Sequence, residues 1–181
     1  MVKNSNTIAT IGHSTRSTGE FIDLLRQNEI ERVIDVRYIP RSRHNPQFNN
    51  DRLEASLADA GIAYTHLAGL GGLRPTRRDS PNQGWKNPSF RGYADYMQTA
   101  EFIANMEKLI ELARIDSCVL MCAEAVPWRC HRSLIADALL VRGWQVDDIL
   151  DKSHRRAHFL TSFAYVEGAS ILYPPGPAKS P

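Results

Sequence analysis

Short apolar runs rich in β-branched residues alternate with helical stripes along this chain, and this alternation constrains the fold more than any other feature. Residues 7–11, 32–36 and 118–121 have the composition of strands, and the last run is the most hydrophobic. Ser17 and Glu20 have the spacing of a capping box before an apolar helical stripe. Strands that alternate with helices form a mostly parallel sheet through right-handed crossovers. We therefore predict a three-layer α/β fold with about five strands and helices on both faces.

The length of 181 residues and the hydrophobic fraction of 43% suit one domain with a sizeable core. We predict a single α/β domain over residues 1–172 and a flexible, proline-rich tail over 173–181. Residues 68–90 are rich in glycine and proline and are expected to form a long irregular loop. Neither a signal sequence nor an apolar run of membrane-spanning length is present, which predicts a cytoplasmic protein without a membrane partner.

The charge of the chain is unevenly distributed. The formal net charge is only +2, but residues 37–91 contain nine Lys or Arg residues against four Asp or Glu residues. A positive segment of this kind favours an anionic partner, either a small molecule or a nucleic acid. A solvated basic surface without a ligand is the alternative. The sequence does not indicate an oligomeric state.

Every candidate strand ends in polar or reactive residues. The carboxyl ends of parallel strands meet at one edge of a sheet, where loops converge and ligands bind. Because the strands are predicted to be parallel, we expect these residues to share a cleft. They are His13 and Ser14 after the first strand, Asp35 and Arg37 after the second, Gly71 and Gly72 beyond a weaker third strand at 62–66, and Cys122 and Glu124 after the fourth strand at 118–121.

Five motifs, in order along most of the chain, resemble the bacterial family called domain of unknown function 488. They are TIGHS at 10–14, DVRYIPRS at 35–42, LGG at 70–72, FRGYADYM at 90–97 and CAEAVPWRCHR at 122–132. The resemblance implies an α/β fold and a clustered polar site built from these motifs. It implies no reaction, because none is established for the family in general.

The residues of these motifs suggest distinct chemical roles. His13 and Glu124 are candidate acid and base groups, and Cys130 is a candidate nucleophile. Arg37 and Arg132 are expected to hold an anion through their guanidinium groups. The other expected substrate-binding residues are Ser14, Asp35, Ser42, Gly71, Gly72, Tyr93, Tyr96, Cys122 and His131. Structural roles remain open for several of them: Asp35 as a partner of Arg37, Glu124 in an ion pair, and the two tyrosines in packing.

Three cysteines, Cys118, Cys122 and Cys130, lie within thirteen residues, and their odd number indicates reduced thiols. Cys118 lies inside a predicted strand and is expected in the core. Cys130 precedes a predicted helix, whose free N–H groups favour an anion and a thiolate; alternatively it is a small packed residue. Which of Cys122 and Cys130 is the more reactive thiol remains open. Their spacing is too loose for a typical zinc site, so no metal or cofactor is predicted.

These observations favour an enzyme, of hydrolase or transferase type, that acts on a phosphate-bearing or other anionic substrate such as a nucleotide or nucleic acid. A non-catalytic nucleic-acid-binding module is the second hypothesis, and a domain with a structural cysteine and histidine cluster is the third. The DVR strand and the segment from Cys122 to Arg129 also resemble rhodanese domains and the related phosphatases, which implies thiol chemistry. In that resemblance Glu124 departs from the pattern, because a carboxylate repels a bound anion.

Overall fold

The computed structural model describes residues 6–176, which form an α/β fold with a layer of helices on each face of the main sheet. The elements in chain order are β1 (Thr7–Gly12), α1 (Thr18–Gln27), β2 (Arg32–Asp35), α2 (Asn50–Asp59), β3 (Ala63–His66), α3 (Pro88–Tyr96), α4 (Ala100–Ile115), β4 (Cys118–Cys122), α5 (Arg132–Leu140), β5 (Gln145–Ile149), β6 (Arg155–Ala157), β7 (Tyr165–Glu167) and β8 (Ser170–Leu172).

The main sheet has six strands in the order β3-β2-β4-β1-β5-β6. The first five pair in parallel, and β6 pairs antiparallel with β5 at one edge. The predicted α/β fold with a mostly parallel sheet is confirmed. Strands β6, β7 and β8 were not predicted, because each has only three residues, too few to show the alternation of apolar and polar side chains that indicates a strand.

Strand side chains alternate between the two faces of the sheet, and each face has its own hydrophobic core. Val119 and Met121 of β4 pack on the side of α1 and α2, together with Phe21. Leu120 and Cys122 of the same strand pack on the opposite side, with residues of α3, α4 and α5. The face on which a side chain lies therefore decides which site it can join.

Individual residues explain where helices begin and end, and where β1 can lie close to the loop after β4. Ser17 caps α1: its hydroxyl accepts the Glu20 N–H at 3.2 Å, and the Glu20 carboxylate accepts the Ser17 N–H at 2.8 Å. Gly61, with φ of 74°, takes the left-handed conformation just after α2. At Gly12 a Cβ atom would lie 1.8 Å from the Glu124 carbonyl oxygen, so a glycine is needed where β1 meets the loop after β4.

The long irregular segment before α3 is fixed to the domain through one buried carboxylate. Asp95 accepts hydrogen bonds from the Ser80 hydroxyl at 2.5 Å, the Asn82 amide at 2.8 Å and the Arg77 backbone N–H at 3.0 Å. Asp95 is itself buried on α3. This glycine- and proline-rich segment is therefore held in a defined conformation by hydrogen bonds. It forms one wall of a cavity at the carboxyl edge of the sheet.

Tyr173, which the sequence analysis placed at the start of the tail, is buried in the core next to Phe163 and Trp85. Its hydroxyl donates to Asp137 at 2.8 Å, and its N–H donates to the Asn82 side chain. Packing therefore continues through Tyr173, and residues 177–181 of the predicted tail lie outside the described residues. No helix within residues 6–176 is long and apolar enough to cross a membrane.

Candidate functional site

A cavity of about 440 Å³ opens at the carboxyl ends of β2, β3 and β4. Its wall combines two thiols, several cationic groups and an apolar lip. The lining residues are Arg37, Tyr38, Ile39, Arg41, Gly72, Leu73, Asn87, Ser89, Phe90, Cys122, Ala123, Glu124, Arg129, Cys130 and His131. The predicted location at the carboxyl edge of a parallel sheet agrees with this cavity.

Two thiols lie in direct contact in this cavity. Cys130 Sγ donates to Cys122 Sγ at 2.7 Å, and the two side chains are only 5% and 2% exposed. Arg132, in the first turn of α5 and 1% exposed, directs its Nη1 at Cys122 Sγ from 3.1 Å and at the Glu124 carbonyl oxygen from 3.3 Å. The Cys122 sulfur thus receives two donors, one of them a buried cation.

This arrangement makes the two cysteines unequal. Burial raises the pKa of Cys122, but the S–H of Cys130 and the charge of Arg132 favour the thiolate, and the net pKa is below the usual thiol value. The pKa of Cys130 is well above its usual value, because Cys130 donates its proton to Cys122 and because it is buried. Of the two cysteines, Cys122 therefore has the lower pKa and is the one that more readily becomes a thiolate.

His131 lies beside this pair as a neutral base. Its Nε2 is 2.9 Å from the Val36 carbonyl oxygen, which assigns the proton to Nε2 and leaves a lone pair on Nδ1. Nδ1 is 3.5 Å from Cys130 Sγ. Burial, and then the charge of Arg132, lower the pKa of His131 to about 4. At Gly72 a Cβ atom would lie 3.0 Å from Nδ1, so the glycine leaves room for this ring.

A second cluster of predicted site residues forms around Asp35, and Arg37 of this cluster also lines the cavity. Asp35 accepts from Arg37 Nη2 at 2.6 Å, from Arg37 Nε at 2.9 Å and from the Tyr64 hydroxyl at 2.7 Å. Arg37 Nη2 also donates to the Phe48 carbonyl oxygen. The guanidinium group of Arg37 therefore has protein partners, and this geometry favours the structural role that the sequence analysis left open for Asp35.

His13 belongs to this second cluster and does not line the cavity. Its Nδ1 is 2.8 Å from the Ser14 carbonyl oxygen, its Nε2 is 3.3 Å from Arg37 Nη1, and its ring stacks on Phe48. Burial, and to a smaller extent the charge of Arg37, lower the pKa of His13 to about 4. Both ring nitrogens have partners and the side chain is buried. Nothing in this geometry supports the predicted catalytic role of His13.

The other predicted site residues support the walls. Tyr93 donates to the Leu70 carbonyl oxygen and Tyr96 to that of Gly69, so both tyrosines hold the segment that carries Gly72. At Gly71 a Cβ atom would approach the Tyr38 backbone to 2.6 Å. Ser42 bonds to Asn45 and Asn49 within its own loop. The predicted residues that line the cavity are therefore Arg37, Gly72, Cys122, Glu124, Cys130 and His131.

Several lining residues were not among the predicted site residues. Arg41 and Arg129 have exposed side chains without a hydrogen-bond or ion-pair partner among the described residues. Tyr38, Ile39 and Leu73 form an apolar lip with exposures of 51%, 59% and 79%. Leu73 has a φ of 61°, which is uncommon for a side chain of this size. In the sequence, the signal was the position of these residues: Tyr38, Ile39 and Arg41 lie within DVRYIPRS, Leu73 follows LGG, and Arg129 lies within CAEAVPWRCHR.

The site has no arrangement typical of a metal centre. No group of three or more His, Cys, Asp or Glu side chains within residues 6–176 is placed to hold a metal ion. Cys122 and Cys130 instead bond to each other and to Arg132.

Comparison with known families agrees with the motifs. The profile described as "Domain of unknown function DUF488" matches residues 17–139. The chain belongs to the DUF488 family. The match contains both thiols, His131 and Arg132, whereas His13 precedes it. The resemblance inferred from the sequence is confirmed, and the family description states no activity. Neither the curated proteins nor the solved structures gave a match.

Proposed function

We propose that this DUF488 protein is an enzyme in which the Cys122 thiolate acts as nucleophile on a small anionic substrate. The observation that carries the proposal is the pair of donors on Cys122 Sγ: Arg132 Nη1 at 3.1 Å and Cys130 Sγ at 2.7 Å, in a residue that lines a cavity. A thiolate, rather than a thiol, is the nucleophilic form of cysteine.

An anionic group on the substrate is supported by the charges around the cavity. Arg41 and Arg129 line it without partners among the described residues, and Glu124 is the one carboxylate among its lining residues within 6–176. Cations without partners at a concave site attract anions and orient them by hydrogen bonds. A phosphate-bearing molecule such as a nucleotide meets this requirement, and so does another small oxyanion.

The size and lip of the cavity support a small molecule over a long polymer. A volume of about 440 Å³ lies within the roughly 300–1,000 Å³ that is common for small-molecule sites. Tyr38, Ile39 and Leu73 would cover the part of the substrate that carries no charge. A nucleic acid would place only one nucleotide or its end in this space.

The chemistry follows from the residues present. Cys122 Sγ forms a bond to an electrophilic centre of the substrate while the bond to the leaving group breaks, and the leaving group takes a proton. That proton comes from water in the cavity, and Glu124 is the candidate lining group to relay it to the leaving group. Release of the group from Cys122 to water makes the enzyme a hydrolase, and release to a second acceptor makes it a transferase.

Two alkylating reagents of different charge test this proposal. We expect iodoacetamide to modify Cys122 of the folded full chain, with a rate that stays high below the usual thiol pKa of about 8.5. The rate with anionic iodoacetate, relative to iodoacetamide, should exceed the same ratio for glutathione. Arg129→Ala and Arg41→Ala should each lower that ratio.

The matched control is Arg52→Ala, which removes an exposed arginine of α2 away from the cavity and should leave the ratio unchanged. Cys122→Ser should abolish the rapid modification. A Cys122 that stays unmodified in the folded protein would contradict the proposal. An iodoacetate-to-iodoacetamide rate ratio that does not change in Arg41→Ala and Arg129→Ala would also contradict it. Tight binding of nucleic acid without a reactive thiol would instead favour the non-catalytic binding module.

A further inference from the structure

We propose that Cys122 and Cys130 form a reversible dithiol–disulfide couple, in which Cys122 reduces a small hydroperoxide and Cys130 resolves the product as an intramolecular disulfide. This redox activity goes beyond the proposed function. It rests on the reactivity of Cys122, which the proposed function also requires, and adds a role for Cys130.

The first support is the proximity of the two sulfur atoms. They are 2.7 Å apart, about 0.7 Å more than the roughly 2.05 Å of a disulfide bond. Cys122 ends β4, and Cys130 immediately precedes the first turn of α5. The bond therefore needs only a small local movement. Both residues line the same cavity, through which a small peroxide reaches them.

The second support is that the two cysteines have different surroundings, which suit them to different steps of the reaction. A peroxide-reducing cysteine must be a thiolate, and a resolving cysteine keeps its proton until it attacks. The S–H of Cys130 and the guanidinium group of Arg132 both point at Cys122 Sγ. His131 Nδ1, with its free lone pair 3.5 Å from Cys130 Sγ, is placed to take the proton of the resolving thiol.

The reaction balances in two steps. Cys122 Sγ attacks one oxygen of the peroxide, the O–O bond breaks, and the departing oxygen takes a proton to give water or an alcohol; Cys122 becomes a sulfenic acid. Cys130 Sγ then attacks Cys122 Sγ, the S–O bond breaks, and the released hydroxide leaves as water with the proton that Cys130 lost. The two sulfurs lose two electrons and the O–O bond gains them. An external thiol returns the disulfide to two thiols.

Cys118 provides an internal control because it lies at the other end of β4. Burial, and then the charge of Asp116, raise the pKa of Cys118 to about 12. Cys118 has no hydrogen-bonded cysteine partner among the described residues. It is therefore expected to remain a thiol when Cys122 and Cys130 are oxidised.

The experiment treats the reduced full chain with one equivalent of hydrogen peroxide, counts free thiols after denaturation and maps the peptides by mass spectrometry. We expect two of three thiols to disappear, a peptide cross-linked between positions 122 and 130, an unmodified Cys118, and full recovery with dithiothreitol. Cys118→Ala should form the same cross-link. Cys130→Ser should accumulate a Cys122 sulfenic acid that dimedone traps, and Cys122→Ser should react at least about tenfold more slowly with peroxide.

Three results would overturn the inference: oxidation of Cys118 as fast as the pair, cross-links only between two chains, or a sulfenic acid at Cys122 of the unsubstituted chain that never forms the intramolecular bond. The cross-link in that chain is itself a readout, so the inference remains testable if a cysteine variant does not fold. Rapid alkylation of Cys122 without any disulfide would refute the redox couple and leave the proposed function standing.

Discussion

Replacement of Asp137 by asparagine should remove a pH-dependent part of the stability of the domain. The buried Asp137 carboxylate accepts hydrogen bonds from His158 Nε2 at 2.9 Å, the Tyr173 hydroxyl at 2.8 Å and the Thr161 N–H at 3.2 Å. These contacts connect α5 to the segment after β6 and to the residue after β8. Asp137→Asn keeps the size of the side chain and removes its charge.

The expected change in the free energy of unfolding follows from the pKa of His158. Burial lowers its pKa, but hydrogen bonds to Asp137 and Asp148 and their charges more than offset this, and the pKa rises from 6.5 to about 9. At 1.36 kcal/mol per pH unit this corresponds to about 3 kcal/mol, and partial contact with solvent reduces it to about 2 kcal/mol. Because the folded pKa is above the unfolded one, this contribution is complete below about pH 6.5 and is lost as the pH rises towards 9.

Urea denaturation at about pH 6 and about pH 9.5 measures this effect. We expect Asp137→Asn to lower the free energy of unfolding by about 1 kcal/mol at the lower pH, because Asp148 keeps its share of the His158 contribution, and by clearly less at the higher pH. The control is Asp151→Asn, which changes an exposed Asp–His pair with His154 and should produce no resolvable difference. An Asp137→Asn variant whose stability differs from the parent chain equally at both pH values would refute the reasoning.

Two further predictions concern the framework of the site. Leu120→Ala should cost about 2 to 5 kcal/mol in urea denaturation, because Leu120 is fully buried in the central strand β4; a cost below about 1 kcal/mol would contradict its place in the core. Gly12→Ala should lower the melting temperature and slow alkylation of Cys122, because its Cβ atom would meet the Glu124 carbonyl oxygen at 1.8 Å. Calorimetry and iodoacetamide kinetics check this. An unchanged melting temperature and an unchanged alkylation rate would show that the loop after β4 moves to accommodate the Cβ atom at little cost.

The sequence was sufficient for the elements whose signals are local. The capping box of Ser17 and Glu20 marks the start of α1, and the continuous apolar run of β4 marks a strand that is buried on both faces. Strand β6 could not be predicted from the sequence, because Arg155–Ala157 is short and exposed and its pairing depends on β5. The burial of Tyr173 could not be predicted for a related reason: it depends on a contact with Asp137, which lies 36 residues away in the sequence.

The predicted site residues do not all line one cavity. Side chains that end neighbouring strands meet at one edge, yet alternation sends Cys122 to the α3–α5 face and Asp35 towards the α1–α2 face, where His13 stacks on Phe48. Arg37 contacts Asp35 and His13 and also lines the cavity. The order of strand ends along the chain does not contain this information. It requires the register of each strand against its neighbours.

The choice of Cys122 as the proposed nucleophile also required the three-dimensional structure. The sequence placed Cys130 next to a helix start, which favoured it as the reactive thiol. In the structure Arg132 turns back from α5 to contact Cys122 instead, and Cys130 becomes the donor to that sulfur. A contact between residues ten positions apart, across a loop, contributes to the lower pKa of Cys122 relative to Cys130.

The most direct test of the account is the ultraviolet titration of the Cys122 thiolate, measured as the difference between the reduced full chain and its Cys122→Ser variant. We expect the thiolate absorbance of Cys122 to persist below the usual thiol pKa of about 8.5 and to disappear only at more acidic pH. A difference spectrum in which Cys122 titrates at or above about 8.5 would contradict the central claim that the donors Arg132 and Cys130 hold it as a thiolate.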